Sequence, residues 1–324
     1  MKSRQTALVL GGTRRTGSLV AKRLVERGLG ARTASRHGGD VLFDWDAPTT
    51  HPGALAGVDR VYLVTPVMRV TYAGQVAGFL DLAEAAGVRH VTYLSTYGGD
   101  QAPPEVDIRA VEADLAGRGA ITHSILRPAW VMQNFSDAHL PVVDWVITVP
   151  TGGGAEAFVD ATDIAAVAVE TLVDPDAHAG ARYAPTGPEA LTFAEVADII
   201  ASVIGRPVTH HDIDRDVWID GAVAAGFVPA DYAVMLRWLT GAIISGNGSR
   251  PNDDIEKVTG RPPTTFHDFA RRSADAWLSL AAGWPRPWTT SPTSRRWARS
   301  SGSSRRGWQA SSTGSTSSTS WPRT

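Results

Sequence analysis

The chain has 324 residues, about two domains' worth on a scale of roughly 150 residues per domain, and ample for a sizeable core. Lysine and arginine number 31 against 33 acids, a formal charge of −2, which argues against a wholly basic nucleic-acid binder and a wholly acidic disordered chain. Cysteine is absent, which removes disulfides, thiolate nucleophiles, zinc knuckles and iron–sulfur ligation together. The apolar run before Gly11 is too short for a secretory signal, and no run approaches the roughly 18 apolar residues of a membrane span. The expectation is a soluble, cytoplasmic protein with no membrane partner.

From Thr6 to Pro185 short apolar runs alternate with helical stretches. Ala7 to Leu10 reads as a buried strand ending in Gly11 and Gly12, and Thr16 to Arg27 places Leu19, Val20, Leu24 and Val25 at helical spacing before Gly28. Ala31 to Ser35 and Val41 to Phe43 are the next two strands, and Val61 to Val64 is the fourth, ended by Thr65 and Pro66. Helices over Tyr72 to Ala86 and Ile108 to Ala116 flank a fifth strand, Val91 to Ser95, and Ser124 to Leu126 is the sixth. Such alternation predicts an α/β fold, a doubly wound parallel sheet of Rossmann type. Near-continuous Val and Leu in the strands fits burial on both faces.

After Pro128 the alternation loosens. Thr162 to Val173, Thr192 to Ile204, Arg215 to Ala225, Pro229 to Ile244 and Phe266 to Trp277 read as helices of a small, mainly helical C-terminal lobe, the second of them opened by a Thr192/Glu195 capping box. Gly152 to Gly154 reads as a flexible loop, and His210-His211-Asp212 as strand residues whose alternation keeps them from converging on a metal. Residues 285–324 hold twelve Ser, seven Thr, seven Arg and four Trp, with no acid and no Val, Leu, Ile or Phe. Without aliphatics a segment cannot offset its ordering entropy, so disorder is expected there. The division expected is a nucleotide-binding core over 1–150, completion of the sheet and a substrate lobe over 151–284, and a disordered tail over 285–324.

The sharpest motif is Gly11-Gly12-Thr13-Arg14-Arg15-Thr16-Gly17 at a strand-to-helix turn. Glycine permits the tight turn, amides at the helix start hold a pyrophosphate, and the last glycine lets helix and strand approach. At the end of the second strand stand Ser35 and Arg36, with no acid before Asp40. An acid there would hold a ribose 2′-hydroxyl. Arg36 instead suits a 2′-phosphate, which predicts NADP(H) as cofactor; the alternative is a solvated surface arginine.

The turn resembles the Gly-x-x-Gly-x-x-Gly of the NmrA-like family of atypical short-chain dehydrogenases/reductases. Phe43-Asp44-Trp45-Asp46, Val61 to Pro66, Leu94-Ser95-Thr96-Tyr97-Gly98, Leu126-Arg127-Pro128-Ala129-Trp130 with Gln133-Asn134-Phe135, Phe158-Val159-Asp160 with Asp163-Ile164-Ala165, and Gly260-Arg261-Pro262-Pro263 continue that resemblance in order. It implies NAD(P)H-dependent quinone reductases, ergot-alkaloid-type dehydrogenases or redox-sensing regulators as relatives. One departure is Arg14 at the family's middle glycine, where it either adds a cation to the phosphate or obstructs the loop. Asp44 resembles the residue lining the adenine, or is an ordinary turn carboxylate.

Hydride transfer is expected over the C-terminal ends of the fourth to sixth strands, where Thr65, Pro66, Ser95, Tyr97 and Arg127 fall. The superfamily's Tyr-x-x-x-Lys is absent, since no lysine lies between Lys22 and Lys257. A quinone or an iminium needs less proton transfer than a carbonyl, so a small planar acceptor such as a quinone is the expected substrate. Ser95 and Tyr97 are the candidate donors to it, or else strand-end residues tying down loops. The residues expected at the cofactor are Gly11, Gly12, Thr13, Arg14, Arg15, Thr16, Gly17, Arg36, Asp44, Thr65, Pro66 and Ser95. The alternative is a non-catalytic NADP(H)-sensing regulator. Seven of the arginines lie beyond residue 284, leaving 24 cations against 33 acids, near −9, in the preceding part, which speaks against nucleic-acid binding by that body.

Overall fold

The first apolar run becomes β1 (Thr6–Leu10), with Ala7, Leu8, Val9 and Leu10 all buried. The computed structural model describes residues 5–280 apart from 138, 139 and 141. The chain divides after Trp284 into two units, and every described residue belongs to the first. The Ser/Thr/Arg/Trp-rich stretch expected to be disordered lies outside the described residues.

Around β1 lie β2 (Gly30–Ser35), β3 (Val41–Leu42), β4 (Arg60–Leu63), β5 (His90–Leu94), β6 (Thr122–Leu126) and the short β9 (Arg182–Tyr183). All pair in parallel in the order β3-β2-β1-β4-β5-β6-β9. Between them run α1 (Arg15–Glu26), α2 (His51–Leu55), α3 (Ala73–Ala85), α4 (Ile108–Gly117) and α5 (Ala161–Val173). Alternation along each strand sorts the two faces. Leu8, Leu10, Val61, Leu63, Val91 and Tyr93 pack toward α2, α3 and α4, while Ala7, Val9 and Tyr62 pack toward α1 and α5. The sheet is thus covered on both sides, the doubly wound Rossmann arrangement.

Polar side chains buried at the N-terminal end of β5 satisfy one another. His90 Nδ1 lies 2.9 Å from Thr122 Oγ1, its Nε2 lies 3.3 Å from Thr92 Oγ1, and Thr92 Oγ1 lies 2.8 Å from Thr171 Oγ1 on α5. Burial pushes the imidazole down to about 3, so it is neutral here.

The C-terminal lobe has its own aromatic core of Phe135, Phe158, Phe193, Phe266, Phe269 and Trp277. Its elements are β7 (Val146–Thr148), β8 (Ala155–Glu156), β10 (Leu191–Thr192), α6 (Phe193–Ile204), β11 (Thr209–His211), α7 (Arg215–Ala224), α8 (Ala233–Ile244), α9 (Asp254–Thr259) and α10 (Phe266–Leu280). The capping box forms as expected, with Thr192 Oγ1 accepting from the Glu195 amide and Glu195 accepting from the Thr192 amide. The helix expected from Pro229 starts later. Pro229 is extended, Ala230–Tyr232 form a 3-10 turn, and α8 follows. Met235, Trp238 and Leu239 of α8 pack on the sheet's own core, which brings this helix over the strand ends. Gly152 to Gly154 is a close-packed turn rather than a loose loop. Gly152 and Gly153 have positive φ, and a Cβ on Gly154 would stand 2.0 Å from the Ile243 carbonyl oxygen. His210 Nε2 binds the Val149 carbonyl at 2.9 Å and Asp212 accepts from the Thr151 amide, so both anchor strand and turn.

Candidate functional site

Each glycine of the β1–α1 turn has a separate steric reason. Gly11 lies at φ +64°, in the left-handed region. A Cβ on Gly12 would stand 2.6 Å from Thr33 Cβ on β2, and one on Gly17 would stand 2.3 Å from the Gly11 carbonyl oxygen. The Arg14 amide closes the turn on Gly11 O at 2.8 Å. Arg14 itself has φ −105° and ψ 175°, ordinary extended backbone, so replacing the family's middle glycine introduces no strain. It supplies no side-chain cap, and α1 has no acid in its first turn, which leaves that turn's amides facing outward with their partial positive charge.

A groove of about 540 Å³ opens at this helix start and runs across the C-terminal ends of β1, β2 and β4. Gly11, Thr13, Arg14 and Thr16 line one part, Ser35, Arg36 and His37 a second, Phe43, Asp44, Trp45 and Asp46 a third, and Val64, Thr65, Pro66, Val67 and Arg69 the far side. Arg14 and Arg36 are exposed and make no ion pair among the described residues, whereas Arg69 pairs with Asp46 through both terminal guanidinium nitrogens, Nη1 and Nη2. Asp40, the first acid after β2, accepts from the Thr33 amide at 2.8 Å and hydroxyl at 2.7 Å, bonds that hold its carboxyl below the usual range. It folds back on β2. The aromatic side is rigid: Phe43 stacks on His51 at 4.6 Å, Trp45 meets Phe43 edge-on at 5.0 Å, and His51 Nε2 lies 3.0 Å from the Asp44 carbonyl oxygen. Asp44 does turn work as well, accepting from the Asp46 amide at 3.1 Å while lining the groove.

The structure gathers Gly11, Thr13, Arg14, Thr16, Arg36, Asp44, Thr65 and Pro66 around this groove. Gly12 and Gly17 stand behind it as packing positions. Arg15 turns elsewhere: it donates to Asn134 Oδ1 at 2.8 Å and pairs with Asp137, tying α1 to the segment after β6.

Ser95 and Tyr97 follow β5 one step further along the strand ends, two and four residues past the Leu63–Tyr93 pair. Ser95 Oγ donates to Glu112 Oε1 at 2.6 Å, and the same carboxylate receives Arg127 Nε at 3.1 Å while Arg127 Nη1 reaches Asp100 at 3.2 Å. Neither Ser95 nor Tyr97 lines the groove. Tyr97 is half-buried, its amide bonds Pro128 O, and the next residue, Gly98, sits beneath Trp238 of α8. Behind Thr65 the Tyr72 and Tyr93 hydroxyls lie near it and near each other; burial pushes Tyr72 up to about 12 and raises Tyr93 well above its ordinary value.

Sequence reasoning missed Arg69 and His51. Arg69 is visible afterwards as a cation just past the fourth strand in an acidic body, but its partner Asp46 is 23 residues away. Nothing local marked His51, which stacks inside the aromatic wall.

A parallel sheet of order 3-2-1-4-5-6 with a glycine-built helix start opening into a groove across its strand ends defines a nucleotide-binding protein of Rossmann type. Residues 44–238 match the model of the NmrA-like family. An uncharacterised oxidoreductase of Bacillus subtilis, YesF, is 34% identical over 289 residues, 86% of this chain and 99% of the relative. An NAD(P)H azoreductase of Xenophilus azovorans is 30% identical, covering 83% of this chain and 98% of its own. The chain belongs to the NmrA-like family. Among solved structures, the NADPH-dependent quinone oxidoreductase QOR2 of Escherichia coli, complexed with NADPH, superposes with a TM-score of 0.67 at 22% identity, over 83% of this chain and 99% of that one. NmrA, a negative transcriptional regulator in complex with NAD, gives 0.68 at 14% identity, over 87% and 99%. Among the described residues no helix is long and apolar enough to cross a membrane.

Proposed function

We propose that the chain is an NADPH-preferring oxidoreductase that transfers hydride to a small planar acceptor such as a quinone. The observation that carries this reading is the groove itself, where Arg14 and Arg36, without an ion pair among the described residues, flank the open amides of α1 and an aromatic wall. The steric fit of Gly17 against Gly11 agrees with a loop shaped for a diphosphate. In this reading the first turn of α1 and Thr16 hold the diphosphate, Arg36 holds a 2′-phosphate, Asp44 and Trp45 border the purine, and Thr65 and Pro66 stand where the nicotinamide half begins. Reduced nicotinamide, when bound, supplies the hydride. This chain's residues position the acceptor and exclude water, with α8 as cover over the loop 95–99. Of Ser95 and Tyr97, Tyr97 is the donor available to an acceptor oxygen, because the Ser95 proton is directed at Glu112. Ser95 ties the loop after β5 to α4 and stands outside the groove. The azoreductase among the relatives and the quinone oxidoreductase among the structures support a conjugated acceptor.

A second reading, a regulator that binds the dinucleotide without turnover, is favoured by one specific observation. Ser95 is engaged by Glu112 and no lysine stands between Lys22 and Lys257, so the superfamily's Tyr-x-x-x-Lys pair is missing. Fluorescence titration with NADPH and NADH, followed by stopped-flow oxidation with a panel of quinones, separates the two. Quinone-dependent oxidation supports the enzyme, binding without oxidation supports the regulator, and no binding refutes both.

A further inference from the structure

Tyr62 is the one side chain of β4 that carries a hydroxyl into the layer between the sheet and α1. It packs with Ala7, Val9, Val20 and Leu24, and no part of it reaches solvent. Among the described residues its hydroxyl has no partner at hydrogen-bond geometry, although it is fully enclosed. A buried hydroxyl without a partner costs folding free energy that phenylalanine would not. The polar group facing it is the Thr16 hydroxyl, close enough to act on its ionisation without closing a hydrogen bond. Thr16 lies in the first turn of α1 and lines the groove from the other side. Tyr62 is thus enclosed beneath the helix start, and Thr16 stands between it and the groove's lining.

We infer that Tyr62 is a positioning residue for the diphosphate site: its hydroxyl closes a hydrogen bond onto Thr16 when an anionic oxygen occupies the groove. The inference rests on the dinucleotide reading above. A threonine hydroxyl has one proton and two lone pairs. When Thr16 gives its proton to a phosphate oxygen, its lone pairs turn inward, and the Tyr62 proton has an acceptor. The relay runs from Tyr62 O–H to Thr16 Oγ1 and from Thr16 O–H to phosphate, each bond polarising the next. Burial holds the phenol protonated far above working pH, so the donor role does not titrate away. The orphaned hydroxyl is then a cost of the empty protein that binding removes.

The test is Tyr62→Phe in the full chain, with Thr16→Val and the double variant, titrated with NADPH and with NADH by fluorescence and melted without cofactor. The relay predicts about a tenfold weaker Kd from one lost hydrogen bond in the bound state, by the same factor for both cofactors because the diphosphate is common to them. It also predicts an unliganded melting temperature equal to or above wild type, a pairing of effects that a merely structural tyrosine would not give. In the Thr16→Val background the tyrosine substitution should cost nothing further. Unchanged affinity in Tyr62→Phe overturns the relay, as do additive losses in the double variant or a loss confined to NADPH. Wild type that binds neither cofactor overturns the dinucleotide reading along with it.

Discussion

Gly17→Ala tests the geometry on which the cofactor reading depends. The added methyl would stand 2.3 Å from the Gly11 carbonyl oxygen and 2.7 Å from its carbon, about 1 Å inside ordinary contact. Both atoms are backbone, so no rotamer change relieves the clash, and α1 must slide off the turn by about that distance. Overpacking of this kind costs about 1–3 kcal/mol of stability. The binding loss should exceed it. A first turn displaced by about 1 Å loses the aim of the two or so amides that face a phosphate, and at about 1.5–3 kcal/mol per charged hydrogen bond the affinity falls by roughly 10²–10⁴-fold. Gly53→Ala is the matched control, since a Cβ there meets nothing within 4 Å and its backbone is helical. NADPH titration with urea unfolding of each variant checks both numbers. A Gly17→Ala protein that binds NADPH within threefold of wild type would refute the assignment of this turn to the diphosphate.

His90 stands at about 3 in the fold against an ordinary 6.5, so between those values the unfolded chain holds the extra proton and stability falls as pH falls from 6.5 toward 3, by at most about 5 kcal/mol. Urea midpoints measured from pH 7 to pH 4 should drop more steeply for wild type than for His90→Asn, and parallel curves would show the imidazole is not enclosed. Glu112→Gln should destabilise by about 3 kcal/mol, because it leaves Arg127 only the half-exposed Asp100, whereas Ser95→Ala removes one hydrogen bond and should cost about 1 kcal/mol. If Ser95→Ala instead abolishes quinone turnover in a folded protein, its hydroxyl acts on substrate rather than on the loop. Arg36→Asp should weaken NADPH at least tenfold and spare NADH; unchanged NADPH affinity would place the 2′-phosphate elsewhere.

The sheet was legible because parallel strands buried on both faces must be apolar throughout, and the residues from Ala7 to Leu10 and from Val61 to Leu63 say so locally. The glycine turn was legible because the Gly17–Gly11 contact acts over six residues, although the reason for Gly12 lies in Thr33 on β2. What stayed hidden acts over long separations. Arg15 looked like a phosphate ligand beside Arg14 until Asn134 and Asp137, more than a hundred residues on, drew it away. Ser95 looked like a free donor until α4 placed Glu112 against it, a carboxylate that Arg127, just past β6, also engages. The two-residue β9 carries too little pattern to read, and it joins the sheet only because β6 offers an edge.

These long-range pairs also decide which cations remain for a phosphate. Arg15 is held by Asp137 and Arg69 by Asp46, so among the described residues Arg14 and Arg36 are the groove's arginines without an ion pair, set in a body near −9. Arg36 is exposed, and an exposed pair is screened once the Debye length shrinks from roughly 10 Å at 0.1 M salt to roughly 4 to 5 Å at 0.5 M. In the proposed binding mode the diphosphate is held largely by oriented amides, is common to both cofactors and cancels in their ratio. Preference for NADPH over NADH should therefore narrow severalfold between 50 and 500 mM salt, in step with a slope lost in Arg36→Ala. A ratio that holds constant across that range would mean that shape and short hydrogen bonds, rather than the Arg36 charge, choose the cofactor.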